Sequence, residues 1–214
     1  MKRLSIFVLL LVGCLVGFSV QAGRTVSYAL SQLAIQRVYD GYGSVDISRR
    51  SIEMSPMAST SPDETHAAFV VSQKILPSRF DVRFTMTTQA QLRKGSNPNP
   101  WEVGWFTFGY TPQGTFKYLI LKPDGYGVEL GEFLGGWNQN FLYTSSVGEQ
   151  SFATGVPHDV FMKVRDGRIG VWVDSIFVMD YQMNDRDVLP ASGAIGFYTE
   201  DARVQVSNVR VTTY

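Results

Sequence analysis

Between Phe80 and Thr87 every second residue is apolar: Phe80, Val82, Phe84 and Met86 alternate with Asp81, Arg83, Thr85 and Thr87. A period of two is that of a strand with one face on a core and the other toward water. The same pattern recurs in Val160, Met162 and Val164, is interrupted by Asp166-Gly167, and returns in Ile169, Val171 and Val173. Asp-Gly between two alternating runs predicts a two-residue hairpin, because both turn positions then need positive φ. Gly193 to Thr199 and Arg203 to Thr213 read as two further strands. In the second of these the apolar positions pass from Val204 and Val206 to Val209 and Val211, a parity change that predicts a one-residue bulge near Ser207-Asn208.

Upstream the signals are shorter. Leu30, Leu33, Ala34 and Val38 have helix-like spacing within Ser27 to Val38, and a short helix and an irregular lead-in fit equally well. After Asp40-Gly41-Tyr42-Gly43, the pieces Ser44 to Ser48 and Arg50 to Met54 predict two edge strands, and the Ser, Thr and Pro residues of Ser55 to Thr65 predict a loop. About a dozen strands, little helix and regularly spaced turn signals indicate an all-β fold, an antiparallel two-sheet β-sandwich. With no internal repeat and no linker, residues 23–214 are expected to form one domain.

The N-terminus reads as a leader. Lys2 and Arg3 precede an apolar run from Leu4 to Val20, and Val20-Gln21-Ala22 suits signal-peptidase cleavage after Ala22. The expected location is therefore secreted or periplasmic. One alternative takes Leu11-Val12-Gly13-Cys14 as a lipobox with lipid on Cys14; another keeps the run as a membrane anchor, for which it is short and broken by Gly13 and Gly17. Removing 22 of the 214 residues leaves 192 and no cysteine, so the core must hold the fold without disulfides. The leader carries two of the 19 basic residues and none of the 19 acidic ones, so the remaining side chains sum to −2. That balance argues against nucleic acid and anionic membrane as partners, since both call for a basic surplus. A monomer is expected.

Three of the four tryptophans, Trp101, Trp105 and Trp137, fall between Gln91 and Thr144, interleaved with Arg93, Glu102, Lys117, Lys122, Glu129 and Glu132. Glu102 to Gly109, Thr115 to Leu121 and Tyr126 to Leu130 read as a three-strand meander turning at Pro112-Gln113 and Pro123-Asp124-Gly125. In the simplest register Glu102 faces Pro123, and Phe106 faces Leu119, which faces Glu129. Trp101, Val103, Trp105, Phe116, Tyr118, Ile120, Tyr126, Val128 and Leu130 then share one side, expected to be core. Glu102, Phe106, Phe108, Lys117 and Glu129 share the other, expected to be a groove for sugar rings and hydroxyls.

Glu102 and Glu129 are the candidate catalytic carboxylates, but this register separates them by roughly 16 Å from strand spacing and rise. A glycosidase pair needs about 5–9.5 Å, and an ion pair of Glu102 with Lys122 across the sheet is the preferred alternative. A lyase needs one base and one cation or proton donor at a uronate carboxylate; His66, Arg93, Lys122 and a tyrosine such as Tyr118 or Tyr126 supply the types. A lone histidine at a strand start is more often structural, and His158 is read so. Trp101, Trp105 and Trp137 are the stacking candidates, with Asn138 beside Trp137 in a polar loop; core is the preferred reading of Trp105. Trp172 points away from Ile169, Val171 and Val173, toward the outer side of its hairpin. Two histidines and no cysteine after the leader exclude an ordinary zinc cluster. No cofactor is expected; calcium has candidate oxygens at Asn184-Asp185-Arg186-Asp187, a stretch that matches no calcium-loop pattern.

Thr65-His66-Ala67-Ala68-Phe69-Val70-Val71-Ser72, the Leu92 to Trp105 run, Leu121-Lys122-Pro123-Asp124-Gly125, Val128-Glu129-Leu130-Gly131 and Gly193-Ala194-Ile195-Gly196-Phe197-Tyr198 resemble concanavalin A-like, laminin-G-type jelly-roll domains. More narrowly they are similar to secreted domains grouped with 3-keto-disaccharide hydrolase-like proteins. The resemblance implies a jelly-roll sandwich and a carbohydrate ligand, within a superfamily of lectins, binding modules, hydrolases and lyases. The Glu-x-Asp-x-Glu strand of its laminarinase-type hydrolases is absent, and Asn208 stands where many relatives place an aspartate near structural calcium. Three readings follow: an exported module binding a poly- or oligosaccharide; a polysaccharide lyase or glycoside hydrolase; and an envelope adhesion module using its edge strands and the Trp172 face.

Overall fold

A computed structural model describes residues 25–136, 138–184, 186, 189–190 and 192–214. The leader, Cys14, Trp137, Asp185 and Asp187 lie outside the described residues. The chain runs β1 (Val26–Ala29), α1 (Leu30–Leu33), β2 (Ile35–Tyr39), β3 (Ser44–Ile47), β4 (Ser51–Ser55), β5 (Ala67–Ser72), β6 (Leu76–Pro77) and β7 (Phe80–Gln91). It continues through β8 (Gly104–Tyr110), β9 (Phe116–Lys122), β10 (Gly127–Phe133), β11 (Gln139–Thr144) and β12 (His158–Arg165). Four strands complete it: β13 (Arg168–Val173), β14 (Ile176–Gln182), β15 (Ser192–Glu200) and β16 (Ala202–Thr213). Among the described residues no helix is long and apolar enough to cross a membrane.

Two eight-stranded antiparallel sheets pack face to face. The first has the order β14-β13-β12-β7-β16-β4-β3 with β1 also on β16; the second has β11-β10-β9-β8-β15-β5-β2 with β6 on β15. The chain changes sheet between β1 and β2, β2 and β3, β4 and β5, β6 and β7, β7 and β8, β11 and β12, β14 and β15, and β15 and β16, so the core is closed by pairings far apart in sequence. Phe80, Val82, Phe84 and Met86 of β7 face inward as their alternation requires, and Phe84 meets Phe106 and Phe197 of the opposite sheet at ring-centroid distances of 5.0 and 5.3 Å.

The local expectations for these strands hold where one face is wet. Arg165 pairs with Arg168 across Asp166 and Gly167, whose φ values of 51° and 75° close the hairpin. The bulge in β16 lies between Ser207 and Arg210, with Asn208 at φ 55°. The open stretch at the N-terminus resolves into β1, a single helical turn that buries Leu30 and Leu33, and β2. Of the two strands expected at an edge, only β3 is one; β4 lies between β16 and β3.

The meander corrects the sequence reading. Phe106 does pair with Leu119, but Leu119 pairs with Leu130 and Glu129 pairs with Ile120, one residue from the expected register. Phe106, Phe108, Leu119, Val128 and Leu130 therefore line the core between the sheets. Trp105, Phe116, Tyr118 and Ile120 lie on the outer face of the second sheet together with Glu129. The expected core and groove faces are inverted in β8 and β9, whereas Val128 and Leu130 of β10 are core as expected and Glu129 faces away from it. The physical reason is that all seven residues of β9 are buried, so no polar face marks which parity is the inside.

Candidate functional site

The outer face of the second sheet carries a second apolar cluster, separate from the sandwich core. Trp105 lies 4.8 Å from Tyr118 and 4.9 Å from Tyr198 between ring centroids, and Phe69 packs edge-on to Tyr198 at 5.7 Å. Above this aromatic layer is a cavity of about 680 Å³, within the size range of small-molecule sites. Trp105, Phe116, Tyr198 and Glu200 line it from β8, β9 and β15; Tyr39 lines it from β2, His66 from just before β5, and Phe133, Gly136 and Gln139 from the end of β10, the loop after it and the start of β11.

The turn after β2 brings Gly41 and Tyr42 to this cavity. Arg37 Nη1 donates to Asp40 Oδ2 at 2.8 Å, and Asp40 Oδ1 accepts the Tyr42 N–H at 3.2 Å. Gly41 has φ +62°, and a Cβ there would stand 2.5 Å from the Ala67 carbonyl oxygen, so glycine is required for the turn to close on β5. Tyr42 then meets the His66 ring edge-on at 5.7 Å.

Behind the cavity, the charged residues of the sequence motif are joined to one another. Arg93 donates from Nε to Glu102 Oε1 at 2.6 Å, from Nη1 to the Ser61 carbonyl at 2.7 Å, and from Nη2 to Asp201 Oδ2 and the Glu64 carbonyl at 3.0 Å each. Asn99 Nδ2 donates to the same Glu102 oxygen at 2.7 Å, while Glu102 Oε2 is buried without a partner. Asp201 Oδ1 accepts the His66 N–H at 3.1 Å and the Ser59 hydroxyl. The His66 ring sits between acceptors, Nε2 at 3.3 Å from Glu64 Oε1 and Nδ1 at 3.4 Å from Ser59 Oγ.

A second relay reaches the cavity through Gln139. Lys122 Nζ donates to Glu129 Oε2 at 2.8 Å, the Tyr118 hydroxyl donates to Glu129 Oε1 at 3.4 Å, and Gln139 Nε2 donates to the Tyr118 oxygen. Gly131 makes this possible, since a Cβ there would stand 2.0 Å from the Tyr118 hydroxyl. Burial, and next the Glu129 carboxylate, push the Tyr118 hydroxyl to a higher pKa than an ordinary tyrosine; the Gln139 hydrogen bond opposes the shift.

Of the residues singled out in the sequence, His66 and Trp105 line the cavity. Glu102 was expected to pair with Lys122; it pairs instead with Arg93, and Lys122 with Glu129. Both pairs are buried and neither lines the cavity, because each long side chain is drawn to the carboxylate or guanidinium beside it. Lys117, expected in the groove, pairs with Glu132 on the Phe108 side of the sheet. Trp101 is 44 % exposed outside the cavity lining, its carbonyl accepting from Trp105 Nε1 at 2.8 Å. Asn138 is exposed and closes a turn onto the Gly135 carbonyl. His158 contacts Asp174 Oδ2 at 2.8 Å, away from the cavity.

Glu200 is among the cavity residues that sequence reasoning missed. Tyr198 donates its hydroxyl to Glu200 Oε1 at 2.6 Å. Burial raises the Glu200 carboxyl above the ordinary glutamate range; the neighbouring Asp201 and Glu102 carboxylates add to the shift, while the Tyr198 hydrogen bond and Arg93 oppose it. The available signal was parity, since Tyr198 and Glu200 share the face of β15 opposite Phe197. Among the described residues no group of three or more His, Cys, Asp or Glu side chains is placed to hold a metal ion.

No family model and no curated protein matches the sequence. Solved structures do match in fold. The carbohydrate-binding module CBM66 from Bacillus subtilis superposes with a TM-score of 0.62 at 13 % identity, over 83 % of this chain and 94 % of that one. A Bacillus subtilis protein of unknown function with a galectin-like fold gives 0.57 at 10 % identity, over 87 % and 94 %. A prokaryotic β-1,3-1,4-glucanase (lichenase) derived from a mouse hindgut metagenome gives 0.53 at 11 % identity, over 88 % and 98 %. With two antiparallel sheets, chain crossings between them and these structural neighbours, the chain has the jelly-roll, concanavalin A-like sandwich fold.

Proposed function

We propose that the protein binds a poly- or oligosaccharide in the aromatic cavity on the outer face of its second sheet. The observation that carries this reading is the cavity's composition. Trp105, Phe116 and Tyr198 line it with aromatic side chains, and Glu200 and Gln139 line it with polar ones. Rings for apolar sugar faces and a few placed polar groups for hydroxyls are the means by which a site fixes a sugar. The similar fold of a carbohydrate-binding module supports the same reading.

A lyase or hydrolase acting on the same ligand is the second reading, and Glu200 favours it. A carboxyl whose pKa burial raises above the ordinary glutamate range is suited to general acid chemistry. Against it, Arg93, Glu102, Lys122 and Glu129 are spent in ion pairs with one another or with neighbours. Export through cleavage after Ala22 is part of the proposal and is checked by N-terminal sequencing of the protein from its native host.

The test is a panel of neutral and acidic oligosaccharides presented to the purified protein, read for binding and for released reducing ends or unsaturated products. Binding without product, weakened in Tyr39→Ala, supports the binding module. Product formation lost in Glu200→Gln replaces it with the enzyme reading. Silence across the panel refutes both.

A further inference from the structure

We propose that the cavity selects uncharged glycans over those bearing carboxylates, and that Glu200 makes the distinction. This inference rests on the saccharide reading of the cavity and names its ligand class.

Among the described residues no lysine or arginine lines the cavity. Arg93, in the layer behind it, is engaged through all three nitrogens, which donate to Glu102, Asp201 and two backbone carbonyls. Lys122 is held by Glu129. At the rim, Arg37 is held by Asp40. The His66 ring already sits between the Glu64 carboxylate and the Ser59 hydroxyl, with Asp201 Oδ1 3.8 Å away. A uronate or other acidic sugar entering here would find no unpaired guanidinium or ammonium to meet it.

It would find carboxyl groups instead. Glu200 and Asp40, the latter held by Arg37, line the cavity, and behind Glu200 the carboxyls of Asp201 and Glu102 share one guanidinium, that of Arg93, so carboxyl groups outnumber cations here. A ligand carboxylate placed against Glu200 leaves two like charges together in a partly water-excluded site, which is the strongest ordinary means of rejecting a partner. A neutral sugar meets the same group favourably. Tyr198 occupies Glu200 Oε1, and Oε2 has no hydrogen-bond partner among the described residues, so it is free to accept from a sugar hydroxyl. The aromatic floor is indifferent to ligand charge, so selectivity falls to this carboxyl.

The experiment uses neutral glucan, galactan, mannan and fructan oligomers, and each of them after oxidation of its primary hydroxyls to carboxylates. Titration calorimetry at neutral pH compares each pair. The expected result is a Kd for the neutral member lower by about tenfold or more, the ratio that a single unfavourable charge contact of modest size produces. Glu200→Gln should narrow that ratio, whereas Tyr39→Ala should weaken both members alike and leave the ratio unchanged. Oxidised oligomers binding as tightly as their parents, or a ratio untouched by Glu200→Gln in a variant with wild-type melting cooperativity, would overturn the selectivity while leaving saccharide binding intact. Failure of every oligomer of both kinds would remove the saccharide reading itself, and this inference with it.

Discussion

Arg93 Nε and Glu102 Oε1 are 2.6 Å apart, with side chains 2 % and 1 % exposed. Two residues from the most charged-looking stretch of the chain thus form the inner wall behind the candidate site and do not line it. Their pairing, with Asp201 as a second carboxylate on Arg93, ties the loop before β8 to the β15–β16 turn and to the start of β5.

Arg93→Met is accordingly expected to cost about 3–5 kcal/mol of stability, because it leaves Glu102 and Asp201 buried without a countercharge. Urea unfolding of the single variant and of Arg93→Met with Glu102→Gln checks this. The double variant should recover part of the loss, since one of the stranded charges is gone.

Glu200→Gln is expected to stabilise the protein at neutral pH. The folded state raises the Glu200 pKa above its ordinary value of 4.5, through burial first and the Asp201 and Glu102 carboxylates next. A raised carboxyl contributes its stability below the unfolded value and loses it as pH rises through the folded one, so at neutral pH the ionised group is a cost. The amide keeps the Tyr198 hydrogen bond without that charge. Melting temperatures of wild type and variant should differ at pH about 7.5 and converge below pH about 4.

Gly131→Ala is expected to destabilise the fold by about 1–3 kcal/mol, the usual cost of overpacking. The new methyl would meet the Tyr118 hydroxyl, and Tyr118 is fully buried beneath Trp105. Adding Tyr118→Phe should restore little of the lost stability in denaturant titrations, because the ring carbons Cζ and Cε1 would still stand 2.2 and 2.8 Å from the methyl. It should not restore ligand affinity either, because Gln139 has then lost the hydroxyl that orients it.

Tyr42→Ala should weaken ligand binding about two- to tenfold, the range for one aromatic contact, with the melting temperature unchanged. Tyr42 is 83 % exposed and packs only its edge on His66, so little of the fold depends on it. Calorimetric titration alongside a thermal melt separates the two effects.

Where a strand has one wet face, its sequence alone determined the outcome. Phe80, Val82, Phe84 and Met86, the Asp166-Gly167 hairpin and the parity change before Val209 each state which side is buried, because water on the other side enforces alternation. The all-β sandwich follows from such segments. Tertiary structure alone decided the meander and the site. In β8 and β9 apolar residues occupy both parities, and one slip at the Pro123-Asp124-Gly125 turn paired Glu129 with Ile120 instead of Leu119, so that β8 and β9 exchanged core for outer face while β10 kept its expected sides. The partners of Arg93 were equally invisible, since Asp201 is 108 residues away in sequence and is brought there by β15 pairing with β5 and β8. Glu200 carries no local motif; it becomes a candidate because the fold buries it beside two other carboxylates and a tyrosine. Local alternation encodes which residues avoid water, whereas the choice among several ways of avoiding it is made by long-range pairing and charge compensation.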